Sequence, residues 1–547
     1  MSIMKYLSKD NIQLLDLSDE IILTIMNKVK PRVLLLCSII TIGNNRLEQL
    51  ALDKCQAIDL TCNYFQLQDQ SLFQRRFYSH VMPRIFNNIQ SLTLYIQHLP
   101  DIVTFAEKNS NRILPNLIHL KIMLCRRNPK TWTSFILGSG IYSIFRHCPL
   151  VSTVPNLIRL TGSSSGEILS SFCSSTLIPS IISFELDDDC VLPHVSNDYY
   201  LFFPQSIQLS HIQITLCYID DCICLLKQLG SQLYSLIVNI VYVDDTTTCI
   251  ISKIPLILCP NLKQLTMTIY RNFVNYKKCI VPLLQRLSNV EYLTLLLAIG
   301  EKGGIPNHFI DGYDLENDFI SYMPHLCQFN FHIRSILENA PHVELDTIRQ
   351  SFFRRQQQSI DCTLDYFNNN YGQCQIYSLP FIGTRLEFIS NRFPLFDTTN
   401  TFCMVTMLLL FDDIKPFESI FFERIAQALP HLKILEVFNK LEQQEKITAM
   451  TNSLKFTHLT TLILFDIHMD YAEQLLCRTC LPCLNELAIR NDILLAIIAQ
   501  DQYQTRNNCS RVERLRTSEP LYESLNVLRN YFPPDSYVKH EKEIQTT

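Results

Sequence analysis

LPHLKILEV at residues 429–437, FTHLTTLIL at 456–464 and LPCLNELAI at 481–489 are three versions of one short phrase. Apolar residues occupy the first, fourth and sixth positions of each phrase, counted from Leu432, Leu459 and Leu484. These three leucines are 27 and then 25 residues apart. Positions four and six point to the same face of a β-strand, because side chains alternate along a strand. The phrase therefore predicts a strand with one buried face, repeated at a nearly constant interval.

The segments between the phrases have helical spacing and end at a proline. Ile420, Phe421 and Ile425 precede Pro430, and the next connection closes at Pro482. A strand with a returning helix buries its apolar face only against neighbouring copies of itself. The L-x-x-L-x-L pattern at a period of about 20 to 29 residues is the signature of a leucine-rich repeat. The sequence therefore predicts an α/β fold, a solenoid with a curved parallel sheet and outer helices.

The same pattern recurs through most of the chain. Its other occurrences are Ile89-Leu92-Leu94, Leu117-Leu120-Ile122, Leu157-Leu160, Ile181-Phe184-Leu186, Leu209-Ile212-Ile214, Leu233-Leu236-Val238, Leu262-Leu265-Met267, Val290-Leu293-Leu295, Leu326-Phe329-Phe331 and Val405-Leu408-Leu410. Two intervals are longer than the rest, which predicts repeats with inserted loops. The period is lost within 334–403, where two alternating stretches flank the turn-rich residues 368–372 and predict a β-hairpin.

One departure from regular leucine-rich repeats concerns a polar position. Such repeats carry Asn or Cys three residues after the sixth position, where it bonds the backbone turn of the neighbouring unit. Eight of these places hold Gln97, Cys125, Asp189, Tyr270, Arg334, Lys440, Ile467 and Asp492. Of these eight residues, only Cys125 fits. We therefore expect an irregular solenoid, with an arc that is uneven or interrupted at the hairpin.

Composition narrows the class of protein. At 547 residues the chain exceeds what one compact core usually supports, and 47% hydrophobic residues are enough to bury a large core. A net charge of −5 gives no basic surface for nucleic acid. Only 12 glycines are present, and the glycine-rich fingerprints of phosphate-binding loops are missing. These features favour a protein-binding solenoid over a nucleic-acid-binding or nucleotide-binding protein.

The sequence also carries information on the cellular compartment. The N-terminus lacks the apolar run and cleavage site of a signal peptide, and the longest apolar runs fall short of a membrane span. The 21 cysteines are scattered through the chain and are interpreted as reduced, buried small hydrophobes. We expect a cytoplasmic or nuclear protein without a membrane partner.

Residues 12–50 lack the repeat and predict a compact set of three helices. Ser18 is placed to cap the first helix, and Asp19 and Glu20 follow where the helix dipole favours negative charge. One face of this helix carries Ile21, Ile22, Ile25, Met26 and Val29. A helical set with this much apolar surface implies a partner.

This stretch resembles the F-box, the short helical module that docks substrate receptors on the adaptor of SCF-type ubiquitin ligases. The F-box pattern L-P-x-E-[IL]-L-x-x-I-[FLM]-x-x-L is matched position by position by Leu17, Glu20, Ile21, Ile22, Ile25, Met26 and Val29. Ser18 replaces the proline of the pattern, and Val33-Leu34 stands where the family has Asp-Leu. The resemblance implies that the seven matching residues bind the adaptor. The alternative is a helical cap that shields the first repeat, which any solenoid requires.

Residues at outward strand positions are candidates for binding a substrate. Aligning the last three repeats places Phe438, Phe465 and Arg490 in one row, and aromatic residues beside an arginine are typical of binding hot spots. The alternative is that a tail or loop covers this row. Further outward positions, at Tyr292, Thr294, Gln328, Asn330 and His332, are uncharged and suit a protein partner.

No combination of residues predicts catalysis or a cofactor. Cys477, Cys480 and Cys483 have metal-like spacing, but no second cluster completes a four-ligand site, so we interpret them as packed cysteines. His325, His431 and His458 directly precede the first apolar residue of a repeat, as Asn116, Asn156 and Asn261 do elsewhere, and are interpreted as stabilising a turn. We expect no enzyme activity, no cofactor and no metal.

The resemblance to F-box and leucine-rich-repeat proteins implies a non-catalytic substrate-recognition subunit of an SCF-type E3 ubiquitin ligase. Its implied partners are the SCF adaptor protein with the cullin ligase core and an unknown protein substrate. The alternative is a leucine-rich-repeat scaffold without ligase association. The expected organisation is an F-box-like module at 12–50, a connector at 51–84, repeats at 85–333, an irregular insertion at 334–403, repeats at 404–499, and a C-terminal cap helix and tail at 500–547.

Overall fold

The computed structural model describes most of the chain in two compact units. The described residues are 14–29, 32–40, 42–52, 56–61, 75–95, 98–109, 114–123, 158–159, 181–187, 190–192, 208–216, 218–241, 252–300, 308–352, 359–368, 370–394, 401–445, 454–517, 528, 530–533 and 536–540. The first unit takes the described residues of 1–128, 158–238 and 258–262, and the second takes those of 129–157, 239–257 and 263–547. Both units are mixed α/β structures with mostly parallel strands.

Three helices open the first unit, as the sequence predicts for this region. They are α1 (Asp19–Lys28), α2 (Arg32–Ile39) and α3 (Asn45–Leu52). Ser18 is the N-cap of α1 with extended backbone angles, but its side chain makes no capping hydrogen bond. Both α1 and α2 contact α3, and α2 also contacts the first strand, so the three helices are anchored to the sheet. Further along this unit lie α4 (Met82–Ile85), α5 (Leu99–Asn109) and α6 (Ile219–Leu229).

The strands of the first unit pair in parallel. They are β1 (Ala57–Asp59), β2 (Ser91–Tyr95), β3 (His119–Met123), β4 (Ile158–Arg159), β5 (Ser183–Leu186), β6 (Cys190–Leu192), β7 (His211–Leu216) and β8 (Ser235–Ile240), the last falling on the boundary of the unit. The main path runs from β1 through β2, β3 and β5 to β7. Strand β6 pairs with both β4 and β7. Strands that follow one another in the chain are therefore mostly neighbours in the sheet.

The second unit contains two groups of strands. The first group is β9 (Gln264–Phe273), β10 (Tyr292–Ile299), β11 (Gln328–Glu338), β12 (Ile360–Tyr366) and β13 (Tyr371–Ser378). The second group is β14 (Arg385–Ile389), β15 (Met407–Phe411), β16 (Ile434–Phe438), β17 (Thr461–Leu464), β18 (Glu486–Ile489), β19 (Arg514–Thr517) and β20 (Tyr537–His540). All seven strands of the second group are parallel, in chain order.

Short helices connect these strands. They are α7 (Val281–Gln285), α8 (Gly312–Asp318), α9 (Leu345–Gln350), α10 (Ser419–Ala428), α11 (Met469–Ala472), α12 (Asn491–Ala499) and α13 (Tyr503–Cys509). Helix α8 begins with a capping box, in which Asp311 and Asp314 each accept a backbone hydrogen bond from the other. Such a cap satisfies amide groups that a helix leaves without partners.

The strand phrases predicted from the sequence are confirmed. In the last three phrases, the fourth-position and sixth-position residues are all buried, as Leu435 and Val437 of β16 illustrate. The predicted register is also correct, because Ile434 pairs with Thr461 and Thr461 with Glu486. Leu157 and Leu160 lie outside the described residues, and strand β4 (Ile158–Arg159) lies between them. Periodicity alone thus located these strands and their inner residues, but the prediction of a single buried face is wrong for β17 and β18, in which every residue is buried.

The segment predicted as a hairpin forms an antiparallel pair. Strand β12 pairs with β13, which in turn pairs antiparallel with β11. Two buried glutamines of β13 reach β14: Nε2 of Gln373 donates to the carbonyl oxygen of Phe388 at 2.9 Å, and Nε2 of Gln375 donates to that of Glu387 at 3.3 Å. Strand β14 is an edge strand of its group among the described residues, and these two side chains supply hydrogen bonds to carbonyl groups at that edge.

The polar ladder, seen at Asp412 and Asn439, lies one residue earlier than the sequence pattern predicts. Nδ2 of Asn439 donates to the carbonyl oxygen of Lys415 at 2.7 Å, while its Oδ1 accepts from the amide of Leu441 at 2.9 Å. Asp412 holds the same place after the preceding strand, β15, and its carboxylate accepts a hydrogen bond from the amide of Ile414. The expectation that the position of Lys440 should carry this residue is therefore wrong, because the chain turns out of the strand sooner.

Candidate functional site

Helix α1 has one buried face and one exposed face, and both are aliphatic. Ile22 and Met26 are 0% and 6% exposed, whereas Ile21, Ile25 and Val29 are 49%, 42% and 40% exposed. Residues four apart lie on the same side of a helix, so the second set forms a continuous stripe. Single exposed aliphatic residues are ordinary on protein surfaces, whereas a stripe of three is a candidate interaction site.

The chain before α1 extends this stripe. Leu15 is exposed, and Leu17 is half-buried beside it. The guanidinium of Arg46 in α3 fixes this segment by donating to the carbonyl oxygens of Leu15 at 2.7 Å and Leu17 at 2.8 Å. Its Nε also donates to Asp19 at 2.9 Å. Arg46 thus bonds the backbone of Leu15 and Leu17 and leaves their side chains without a polar contact. These bonds hold the segment of the two leucines next to α1.

The buried residues of α1 correct part of the predicted adaptor-binding set. Ile22 and Met26 were assigned to the binding face, but both are buried with the helices behind them. The five apolar residues that match the F-box pattern between Ile21 and Val29, the last of them the C-cap of α1, wrap around more than one side of the helix, because each residue turns the chain by about 100°. Of this set, only Ile21, Ile25 and Val29 are presented to solvent.

Glu20 lies at the polar edge of the stripe. Its side chain is exposed in the first turn of α1, where the amide end of the helix favours a negative charge. A hydrogen bond from its own backbone amide, aided by one from Ser18, lowers the pKa of this carboxyl group. Glu20 is therefore ionised at neutral pH and would meet a partner as a charge at the rim of an apolar contact.

The predicted substrate-binding row does not lie at the surface. Phe438 is 4% exposed and Phe465 is 7% exposed, so the prediction that they are solvent-facing is wrong. Phe438 packs in a cluster with Ile336, Phe367, Tyr371, Phe388, Leu409 and Phe411. Part of this cover comes from the hairpin strands and the loop between them. An alternating strand pattern does not reveal such a cover, because it identifies two faces without showing what lies over either.

Arg490, the third residue of that row, stays half-exposed at the start of α12. Its Nε donates to Oδ1 of Asp492 at 3.1 Å, and the two side chains form a surface ion pair. Such exposed pairs contribute little to stability. Arg490 and the two phenylalanines therefore do not form a common exposed surface.

The cysteine triplet does not form a metal centre. Cys477 is buried, and its Sγ accepts a hydrogen bond from the Thr505 hydroxyl at 3.2 Å, while Cys483 is exposed. Burial raises the pKa of the Cys477 thiol, which disfavours the thiolate that metal binding requires. Across the described ranges, no group of three or more His, Cys, Asp and Glu side chains is arranged to hold a metal ion.

A buried polar cluster in the second unit was missed by the sequence analysis. Nη2 of Arg334 donates to the carbonyl oxygen of Tyr270 and to Oδ1 of Asn272, both at 3.2 Å. The same guanidinium lies 3.8 Å from Glu387, which also pairs with Arg385. The only sequence signal was the presence of charged residues at outward strand positions, and we interpreted those positions as solvent-exposed.

Glu436 is the most perturbed carboxyl group near this cluster. It is buried on β16 between Leu409 and Ile463 of the neighbouring strands, and its Oε2 has no hydrogen-bond partner among the described residues. Burial raises the pKa of Glu436 to about 8; the Glu387 carboxylate adds to this rise and Arg385 opposes it. Glu436 therefore carries a proton at neutral pH.

Comparisons with known proteins do not assign a family. No family model matches the chain, and no curated protein sequence matches it. None of the helices within the described part of the chain is both long and apolar enough to cross a membrane. Residues and geometry are therefore the basis for the function.

Proposed function

We propose that this protein is a non-catalytic substrate-recognition subunit of an SCF-type E3 ubiquitin ligase. Its three N-terminal helices bind the ligase adaptor, and its strand–helix units, arranged as an irregular leucine-rich-repeat solenoid, bind a protein substrate. The ligase core supplies the transfer chemistry, so this subunit acts by proximity in the cytoplasm or nucleus. The exposed stripe of Ile21, Ile25 and Val29 is the observation that carries the proposal.

Two properties of the stripe support adaptor binding: its side chains are aliphatic, and the helix beneath them is held in place by packing. Aliphatic side chains that are nearly half exposed gain about 1 to 2 kcal/mol each when a partner buries them fully. The helix that carries them is held from behind by Ile22 and Met26, so little ordering is needed on binding. The resemblance of residues 17–29 to the F-box supports the SCF adaptor as the proposed partner.

A polar row in the second unit is the better candidate for the substrate. Gln264, Tyr292 and Gln328 are exposed and pair with one another across β9, β10 and β11. Thr294 and Asn330, one row further along, are half-buried, whereas His332 is buried and is removed from the predicted surface. Tyr and amide side chains in such a row are typical of protein-binding surfaces.

Binding of the full chain to purified adaptor tests the proposal. We expect Ile21→Asp and Ile25→Asp each to weaken adaptor binding by roughly tenfold or more, because a charge enters an apolar contact. Ile420→Asp is the matched control, since Ile420 on α10 is also 49% exposed but lies far along the chain. Calorimetry on the three variants and the unmodified chain gives the affinities.

The same experiment separates the two functional hypotheses. Adaptor binding that survives both N-terminal substitutions would place the contact elsewhere and contradict the assignment of the stripe. An unmodified, folded chain that does not bind the adaptor would favour the alternative, a protein-binding scaffold whose N-terminal helices only cap the strands behind them.

A further inference from the structure

Two histidines stand side by side at the start of neighbouring strands. His431 and His458 each precede a strand by three residues, and the strands pair at Ile434 and Thr461, so the histidines occupy equivalent places. Their ring centres are 5.8 Å apart. The backbone between them is regular, because the amide of Thr460 donates to the carbonyl oxygen of Lys433 at 2.8 Å. Both side chains are exposed.

The equivalent polar residues before other strands hydrogen-bond to a neighbouring turn. Nδ2 of Asn116 donates to the carbonyl oxygen of Asn87 at 2.6 Å, and Nδ2 of Asn261 donates to that of Ser231 at 2.7 Å. These asparagines stabilise the preceding turn, as the sequence analysis expected for this position. Within the described part of the chain, neither His431 nor His458 makes such a bond. Turn stabilisation therefore does not explain the histidine pair.

The distance between the rings fits a shared metal ion. Two imidazoles on one zinc ion have ring centres about 5 to 6 Å apart, because each Zn–N bond is about 2.0 Å long. Imidazole is a favourable ligand for divalent zinc, copper and nickel. Both rings are on the surface, so small rotations can turn a nitrogen of each towards a common point.

We propose that His431 and His458 bind one zinc ion at the surface of the second unit. The two imidazoles are its protein ligands and water fills the remaining positions, since the described residues offer no third side chain placed to complete the site. Cys483 holds the equivalent place on the next strand, which pairs with β17 at Thr461 and Glu486, but it is not a ligand of this ion. The site shares no residue with the adaptor-binding stripe.

Zinc titration of the full chain tests this site. The protein is stripped of metal with a chelator and kept reduced. It is then titrated with zinc chloride alone in a calorimeter, which measures the heat of binding. We expect His431→Ala and His458→Ala each to remove one binding event or weaken it by roughly tenfold or more, because a single imidazole cannot chelate. Cys483→Ser is expected to leave it unchanged.

His325→Ala is the matched control for these variants. His325 is an exposed histidine at the same place before β11, but its neighbour before β10 is Asn289 rather than a second histidine. Its substitution should leave zinc binding as it is. Melting temperatures without metal establish that each variant is folded. Equal zinc binding by all four variants and the unmodified chain, or a loss seen only in Cys483→Ser, would overturn the proposal.

Discussion

Asn439 holds two neighbouring turns together with one buried side chain. Its side-chain nitrogen donates a hydrogen bond to the carbonyl oxygen of Lys415, in the turn after the preceding strand β15. Its side-chain oxygen accepts a hydrogen bond from the backbone amide of Leu441, in its own turn. Asn439 itself is buried, and its two hydrogen bonds lie in a partly buried turn, where losing them costs free energy. A single residue thus sets how closely consecutive strands can stack at their carboxyl ends.

Replacing this residue should destabilise the second unit. We expect Asn439→Ala to lower the free energy of unfolding by about 1 to 3 kcal/mol, because two hydrogen bonds at a partly buried turn are lost. Lys440→Ala is the control, since Lys440 is exposed and forms only a surface ion pair with Asp466 at 2.9 Å. Urea denaturation followed by circular dichroism measures both. Equal effects of the two substitutions would contradict the position of the ladder.

At the scale of single elements, α1 carries both an anchoring face and an exposed apolar face. Its aliphatic residues are divided between an inner face at Ile22 and Met26 and an outer face at Ile21, Ile25 and Val29. The sequence pattern predicted the helix and its apolar character. It did not separate the faces, because the F-box pattern does not mark which matching residues pack on the other two helices.

The two faces should respond differently to truncation. Ile22→Ala removes buried methyl groups and should destabilise the helical set by about 2 to 5 kcal/mol, whereas Ile21→Ala should change stability by no more than about 0.5 kcal/mol. Hydrogen exchange of α1 peptides in the full chain measures the local effect. Similar exchange rates in the two variants would show that the inner and outer faces are assigned incorrectly.

The strands of the second unit show what sequence periodicity can and cannot predict. The L-x-x-L-x-L phrases located β15 to β18, their register and their inner residues, because burial against the neighbouring repeats requires apolar residues at fixed places. The strand pattern left exposure and burial of Phe438 open, since its cover includes Phe367 and Tyr371, about 70 residues earlier in the chain. Contacts between residues so far apart leave no trace in a local pattern.

At the scale of the whole second unit, several buried ionisable groups link stability to pH. Burial raises the pKa of Asp365 to about 6 and that of Glu436 to about 8, and it lowers the pKa of His332 to about 4. A raised carboxyl pKa means that the folded state keeps a proton which the unfolded chain releases, so stability falls as pH rises towards that value. A lowered histidine pKa acts in the opposite direction, between about pH 4 and 6.5.

Between pH 6.5 and 8, Asp365 and His332 are mostly deprotonated in both the folded and the unfolded state. Of these three groups, Glu436 alone is then protonated in the folded state and deprotonated in the unfolded state. We therefore expect the free energy of unfolding to fall across this interval by about 1 to 2 kcal/mol, since each pH unit contributes about 1.4 kcal/mol per proton. Glu436→Gln removes the titration and should flatten the profile, whatever its effect at a single pH. Urea unfolding at several pH values provides the slopes, and a decline of equal steepness in the variant would exclude Glu436 as its source.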